Sequence, residues 1–397
     1  MNFLFAVSEN SIFDIPFALE HMGHNVTVLD EIPFHIMDLN YTFPLQPAEQ
    51  ALQTGQYDFV ISYNYIPLLS DLCENYRTIY IAWIYDSPMT TLFHASVFHS
   101  VNRIFLFDHA LYERMQQIGI PHIYYMPLAA NTTRINALSL SNEDREHYSC
   151  DISFVGSLYE KNAYNDSRNQ MPTEAAVPMN HYLMHYLCNW NAVRSWPVLS
   201  SNLTHYFLDT DPKLKASAEE YELPANMYLG LLYLSRKLAE MERITVLNTL
   251  AEQFPVDLYT NSQSDQIDIL RKHAPVNYYT ELNKVYHFSR INLNITLPSI
   301  ETGIPLRIFD IMACGGFVLS NYQKEFDSLF TPGKDIVLFH DLTELKEQAA
   351  YYLSHEQERL IIAAEGYRTV NRYYTYEIQL QKILTICGQQ IGRASCR

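Results

Sequence analysis

At 397 residues and 48% hydrophobic, the chain carries enough apolar side chain for two cores and too much for disorder of the whole. Its formal charge of -17 excludes a general nucleic-acid-binding face and general anchoring on anionic lipid, while leaving room for a local basic pocket. Cysteines at 73, 150, 188, 314, 387 and 396 form no C-x-x-C pair and no metal-ligand spacing; with no signal-like start and no apolar run near the roughly 18 residues of a membrane span, a cytoplasmic protein without a metal is expected.

Residues 2–7 (NFLFAV) read as a strand, the stretch up to Gly23 as a helix closed by that glycine, and residues 26–29 (VTVL) as a second strand. This β-α-β opening predicts a Rossmann-like half, and without G-x-G-x-x-G it is a poor dinucleotide site. Apolar segments at 59–62, 78–84 and 104–107 each end in polar residues: Tyr63-Asn64-Tyr65, Tyr85-Asp86-Ser87-Pro88 and Asp108-His109. Ligands collect beyond the carboxyl ends of strands in open α/β sheets, so these groups are expected to share a rim, with Asn64, Tyr65 and Asp86 as ligand-binding candidates. Residues 126–130 (MPLAA) are expected to be the last strand and turn of this half. The polar stretch 138–148 then serves as connector, giving a first domain at 1–145.

A new sheet is predicted to open with a strand at 151–155, followed by Gly156-Ser157, where a residue without a side chain lets backbone approach a pyrophosphate. Residues 162–235, rich in Tyr, His and Met and punctuated by Pro172, Pro178, Pro197 and Pro224, read as a helical insertion within a second domain at 150–373. The regular pattern resumes with a helix at 236–254, a strand at 256–259 and helices at 264–272 and 281–289. Segment 292–322 then reads as strand, loop, helix and strand: Pro305 can open the helix and Cys314-Gly315-Gly316 can close it. A strand at 335–339 and two helices follow, the last at 374–391, and the final GRASCR at 392–397 reads as a foreign tail.

The 292–322 unit aims the free N–H groups of a helix's first turn beyond a strand end, a place that suits phosphate. Arg307 adds a guanidinium fork, and Asp310, one turn on, offers a carboxylate to ribose hydroxyls. With the backbone of Thr302, Gly303, Ile304 and Pro305 they describe a seat for a nucleoside diphosphate.

The string G-I-P-L-R-I-F-D-I-M-A-C-G-G resembles the nucleotide-sugar signature of group 1 glycosyltransferases, and more closely that of the bacterial, CgeB-like spore-maturation branch. The match runs from about residue 151 to 376, and I-A-W-I-Y-D-S-P and I-F-L-F-D are similar to segments of the N-terminal domain that accompanies it. The resemblance implies a GT-B fold: α/β, two facing Rossmann-like domains with a cleft between them, and the helix at 374–391 crossing back to the first. It implies transfer of a sugar from a nucleoside-diphosphate sugar, with UDP as the expected nucleotide, to a hydroxyl-bearing acceptor, with retention and without metal or other cofactor. Asp310 stands at the family's ribose acid, and Lys161 near its phosphate lysine, one residue short of the usual spacing from Gly156. Ser157 stands where an arginine is frequent, and Thr302 where the first acid of the general pattern lies, with Glu301 one step off.

Other readings of the same residues stay open. Arg307 could pair with a carboxylate on a solvated helix, Asp310 could cap or solvate that helix, and Asp86 could serve an Asx-type turn rather than orient or deprotonate an acceptor hydroxyl. Tyr65 and Trp83 fit a core better than a sugar platform. His181 and His185 lack the glutamate of a zinc-protease helix and read as surface residues. Asp108 and His109, adjacent on a strand, would point apart. Hydrolysis or epimerisation of a nucleotide sugar, or a non-catalytic scaffold, are the alternative functions.

Overall fold

Two parallel sheets organise the chain in the computed structural model, which describes residues 1–8, 12–32, 45–189, 195–220, 223–267 and 269–394. The chain divides into two units, one formed by the described residues of Met1–Leu128, Phe207–Tyr228 and Thr375–Arg397, the other by Ala129–Tyr206 and Leu229–Tyr374. Among the described residues no helix is long and apolar enough to cross a membrane.

The first sheet comprises β1 (Asn2–Ser8), β2 (Asn25–Ile32), β3 (Phe59–Tyr63), β4 (Ile79–Ile84), β5 (Asn102–Leu106) and β6 (Ile123–Tyr125), in the order β2-β1-β3-β4-β5-β6. β3 and β5 are buried along their whole length, which explains why they read as continuous apolar runs rather than as alternation. The last helix, Tyr376–Ala394, packs within this unit: Trp83 and Tyr376 meet edge to face at 5.6 Å, and Gln379 Nε2 donates to the Pro127 carbonyl at 3.2 Å. Its end takes in part of the expected foreign tail, and residues 395–397 lie outside the described residues.

The second sheet comprises β7 (Cys150–Val155), β8 (Val256–Tyr259), β9 (Arg271–His273), β10 (Ser289–Asn294), β11 (Val318–Asn321) and β12 (Val337–Phe339), in the order β12-β11-β10-β7-β8-β9. Ile152, Phe154, Leu258, Ile291, Leu293 and Leu319 form the centre of its core. From β7 the chain first builds outward through β8 and β9, then returns to place β10 on the other side of β7. This reversal opens a crevice beyond the carboxyl ends of β7 and β10, where ligands of such sheets bind.

The helix Leu306–Ala313 lies after β10 with Ile308, Phe309, Ile311 and Met312 wholly buried. It ends in a Schellman motif: Gly315 at φ +70 donates to the Met312 carbonyl at 2.9 Å, and Gly316 to the Ile311 carbonyl at 2.9 Å. Gly316 is also a packing requirement, because a Cβ there would stand 2.7 Å from the Tyr286 carbonyl oxygen, a backbone atom that cannot swing aside. Gly316→Ala is therefore expected to cost about 1–3 kcal/mol, as overpacking of a close contact does. Urea denaturation checks this, and an unchanged midpoint contradicts it.

Three expectations need correction. The helix expected at 264–272 is a 3-10 turn, Asp265–Ile267, followed by β9. β9 is a short, wholly polar edge strand with no alternation to betray it; it is held by His273, which stacks on Tyr259 at 4.5 Å and lies 2.7 Å from Asp257 Oδ1. The last strand of the first sheet is at Ile123–Tyr125 rather than 126–130, because Pro127 has no N–H to continue the ladder. Within the insertion, Pro178 does not punctuate: it is carried inside the helix Thr173–Cys188.

Candidate active site

The crevice at β7 and β10 is built around two arginines. Gly156 follows β7 at φ +148, a conformation that side chains rarely allow, and a Cβ there would stand 2.9 Å from Arg307 Nη2 and 3.8 Å from Arg243 Nη1. Both guanidinium groups lie over the Phe154 ring, Arg243 at 5.2 Å and Arg307 at 5.1 Å from its centroid.

Arg243 comes from the helix Arg236–Ala251 and is 3% exposed. Its Nη1 donates to the Ser157 carbonyl and its Nη2 to the Ile295 carbonyl at 3.3 Å, so one side chain ties together the segments leaving β7 and β10. Its Nε is buried and finds no partner among the described residues. Burial, with Arg307 adding to it, pulls the guanidinium down to about 10, which still leaves it charged at neutral pH. Tyr159, whose ring lies 4.6 Å from Arg243, has a left-handed φ of 63. Strain of this kind, of order 1–3 kcal/mol, gathers at functional sites.

Arg307 sits in the first turn of the helix Leu306–Ala313 and is aimed by Asn294, whose Oδ1 accepts from its Nη1 at 3.1 Å. Asn294 is in turn held by donating to Thr296 Oγ1 at 3.0 Å and Ser320 Oγ at 2.9 Å. No side chain caps the helix at Pro305. Among the described residues neither arginine forms an ion pair with a carboxylate. Two like charges, a free N–H and a helix N-terminus thus converge in one crevice, a combination that an oxyanion satisfies.

The other residues expected here are placed as follows. Gly303 and Ile304 are buried and Pro305 half-buried, all just ahead of the helix. Thr302 donates its hydroxyl to Glu325 Oε1 at 2.8 Å. Asp310 is 4% exposed, and its charge is felt by the buried Tyr286 hydroxyl, which burial pushes well up and Arg307 partly draws back. Ser157 Oγ accepts from the Tyr159 amide at 3.0 Å, and Lys161 is exposed further along the same loop. Asn277, in the segment expected to face the base, uses its Oδ1 to hold the amides of Tyr279 and Thr280, at 2.9 and 3.1 Å.

In the first unit, the rim beyond β3 and β4 brings Asn64 and Asp86 together. Asn64, at φ 58, donates its Nδ2 to Asp86 Oδ2 at 2.6 Å and accepts from the Tyr85 and Asp86 amides at 2.9 and 3.2 Å. Asp86 remains half-buried. Tyr65 does not join them: it is wholly buried, its hydroxyl 2.8 Å from Ser96 Oγ. Trp83 is likewise core. Asp108 begins a helix rather than pairing with its neighbour; it accepts from Ser87 Oγ at 2.7 Å while His109 turns to Glu113 at 3.5 Å. His181 and His185 are exposed on their helix.

Residues 243–385 match the profile of a family described as glycosyl transferase-like, a span that begins at Arg243 and includes Arg307 and Asp310. The spore protein CgeB of Bacillus subtilis is 27% identical over 145 residues, which is 36% of this chain and 39% of that protein. Over these segments the chain is similar to CgeB and to glycosyl transferase-like proteins. Solved structures show that its fold is GT-B. Sucrose-phosphate synthase from Thermosynechococcus elongatus superposes with a TM-score of 0.56 at 11% identity, covering 99% of each chain. Anabaena HepE, in complex with UDP and glucose, gives 0.55 at 11% identity over 100% of each, and a glycosyltransferase from Rickettsia africae 0.56 at 10% over 97% of each. The aligned segment spans about two-fifths of the length of the CgeB protein, 39%.

Arg243 escapes the sequence motifs because it lies far along the chain from the 292–322 unit. Its signal is positional: it occupies the apolar stripe of its helix, in line with the buried Ala239, Val246, Leu247 and Leu250, where a charge has no place without a task.

Proposed function

We propose that the chain transfers a sugar from a UDP-sugar to a hydroxyl of an acceptor, with retention of configuration and without a metal. The observation that carries this reading is the convergence of Arg243 and Arg307, unpaired with any described carboxylate, against Gly156 at the switch point of a parallel sheet. The match to a glycosyl transferase-like profile over the same residues supports it, and the UDP held by HepE supports the choice of nucleotide.

In the proposed reaction the bond between the anomeric carbon and the diphosphate oxygen breaks, and a bond from that carbon to the acceptor oxygen forms. The acceptor proton passes to the leaving diphosphate. Negative charge grows on the diphosphate as the bond stretches; Arg243, Arg307 and the amides at the start of the helix Leu306–Ala313 are already oriented toward it, so little reorganisation is needed. These fixed charges do the work a divalent cation would otherwise do, with Lys161 as an additional exposed cation. Asp310 is assigned to the ribose, and Asn64 and Asp86 to orienting the acceptor hydroxyl.

A UDP-release assay with a panel of UDP-sugars, with and without simple alkyl glycosides, tests the reading. Acceptor-dependent release together with an acceptor heavier by one sugar is expected, and the anomer of that product, read by NMR, is expected to match the donor's. Release that ignores acceptor and yields free sugar would replace transfer by hydrolysis. Asp86→Asn is expected to raise the acceptor KM about tenfold, the scale of one charge-assisted hydrogen bond, and to leave UDP affinity unchanged. An unchanged acceptor KM in the folded variant would return Asp86 to a role in its turn.

A further inference from the structure

At the opposite end of the second sheet, by the first residues of β7 and β10, two depressions share a wall. One, of about 570 Å³, is lined by Arg145, Arg271, Arg290 and Arg359, with Asp151 and Glu356 as the carboxylates among its described lining residues. The other, of about 410 Å³, is apolar, lined by Ile135, Leu138, Leu140 and Tyr367 among others. His287, Gly315, Leu360 and Ala363 line both, so they are lobes of one site.

The arginine lobe stands out in a chain whose formal charge is -17. Arg359 is 5% exposed; its Nη1 donates to the Arg290 carbonyl at 2.8 Å, its Nη2 lies 3.7 Å from Glu356 Oε1, and its buried Nε has no partner among the described residues. Arg290 bridges Asp151 at 2.8 Å, and Arg145 rests over the Phe288 ring at 5.5 Å. The two carboxylates thus leave part of the guanidinium cluster uncompensated, and a buried N–H without a partner is costly unless something else accepts from it. The helix Glu356–Tyr373 supplies Arg359 to the charged lobe and Tyr367 to the apolar one, while Leu360 stays 51% exposed between them.

We propose that this two-lobed depression binds an amphiphile with an oxyanion head and a single apolar tail, the head among the four arginines and the tail between Leu138, Leu140 and Tyr367. The site is separate from the crevice at Arg307, which lies beyond the other ends of the same strands, and it does not depend on the transferase reading.

Calorimetric titration of the full chain with decyl phosphate and with decanoate, below micelle-forming concentrations, tests the proposal, with inorganic phosphate and decanol as controls carrying one feature each. One saturable site is expected, binding the better amphiphile roughly tenfold or more tightly than either control; whether phosphate or carboxylate is preferred names the source of the head group. Arg145→Ala with Arg271→Ala, both exposed and so tolerated by the fold, is expected to weaken that binding about tenfold and to leave UDP binding unchanged. Ala364→Phe, which fills the apolar lobe, is expected to remove the advantage of the tail. Amphiphile binding no better than the controls, binding unaffected by the arginine substitutions, or displacement by UDP would each overturn the proposal.

Discussion

Arg307→Ala is expected to weaken UDP binding about a hundredfold while the protein stays folded. A charge-assisted hydrogen bond contributes about 1.5–3 kcal/mol, and a guanidinium fork offers two to a diphosphate, so the loss is at least about 3 kcal/mol, or two factors of ten. The fold has little at stake. Arg307 is half-buried, it donates to Asn294 Oδ1, and Asn294 keeps its bonds to Thr296 and Ser320 when the guanidinium is removed. Calorimetry for UDP affinity and a melting curve for stability separate the two effects. A variant that binds UDP as the parent does would remove Arg307 from the site.

Arg243→Met is expected to behave differently, losing stability and UDP affinity together. Methionine replaces the apolar stem but leaves the Ser157 and Ile295 carbonyls without their buried donor, a loss of about 2–6 kcal/mol for two such groups. The segments leaving β7 and β10 would then part, taking Gly156 away from Arg307. Urea denaturation should show a lowered midpoint, and UDP affinity measured under folding conditions should fall at least about tenfold with the charge removed. Full stability with lost binding would make Arg243 a ligand only, and lost stability with intact binding a structural tie only.

The contrast between these two arginines shows what a sequence gives up and what it keeps. The helix Leu306–Ala313 was legible because its start and stop are chemical: Pro305 precedes it, and Gly315 after it adopts the conformation that only its lack of Cβ makes easy. Arg307 and Asp310 follow from that helix by spacing alone. Arg243 needs the sheet order to be known, because only the reversal between β8 and β10 brings its helix to Gly156. Asn294 reads as the polar half of an alternating strand, and nothing in that pattern says that its amide will aim an arginine.

The misread positions have equally physical causes. Tyr65 follows a strand end, which suggests a rim, yet Asn64 at φ 58 turns the chain so that Tyr65 is buried against Ser96 and Asn102. β9 is three polar residues whose strand character comes from pairing with β8 and from the His273 contacts with Tyr259 and Asp257, none of them local in sequence. Asp108 reads as strand because the apolar run leads into it, whereas it stands at the N-cap position of the next helix.

Calorimetric titration of the purified chain with UDP, GDP, dTDP and ADP tests the central claim most directly. One-to-one binding of UDP in preference to the other three, weakened about a hundredfold in Arg307→Ala, is the result expected from an arginine pair set over Gly156. Failure of all four diphosphates to bind the folded chain, or binding of UDP that is indifferent to Arg307, would contradict it.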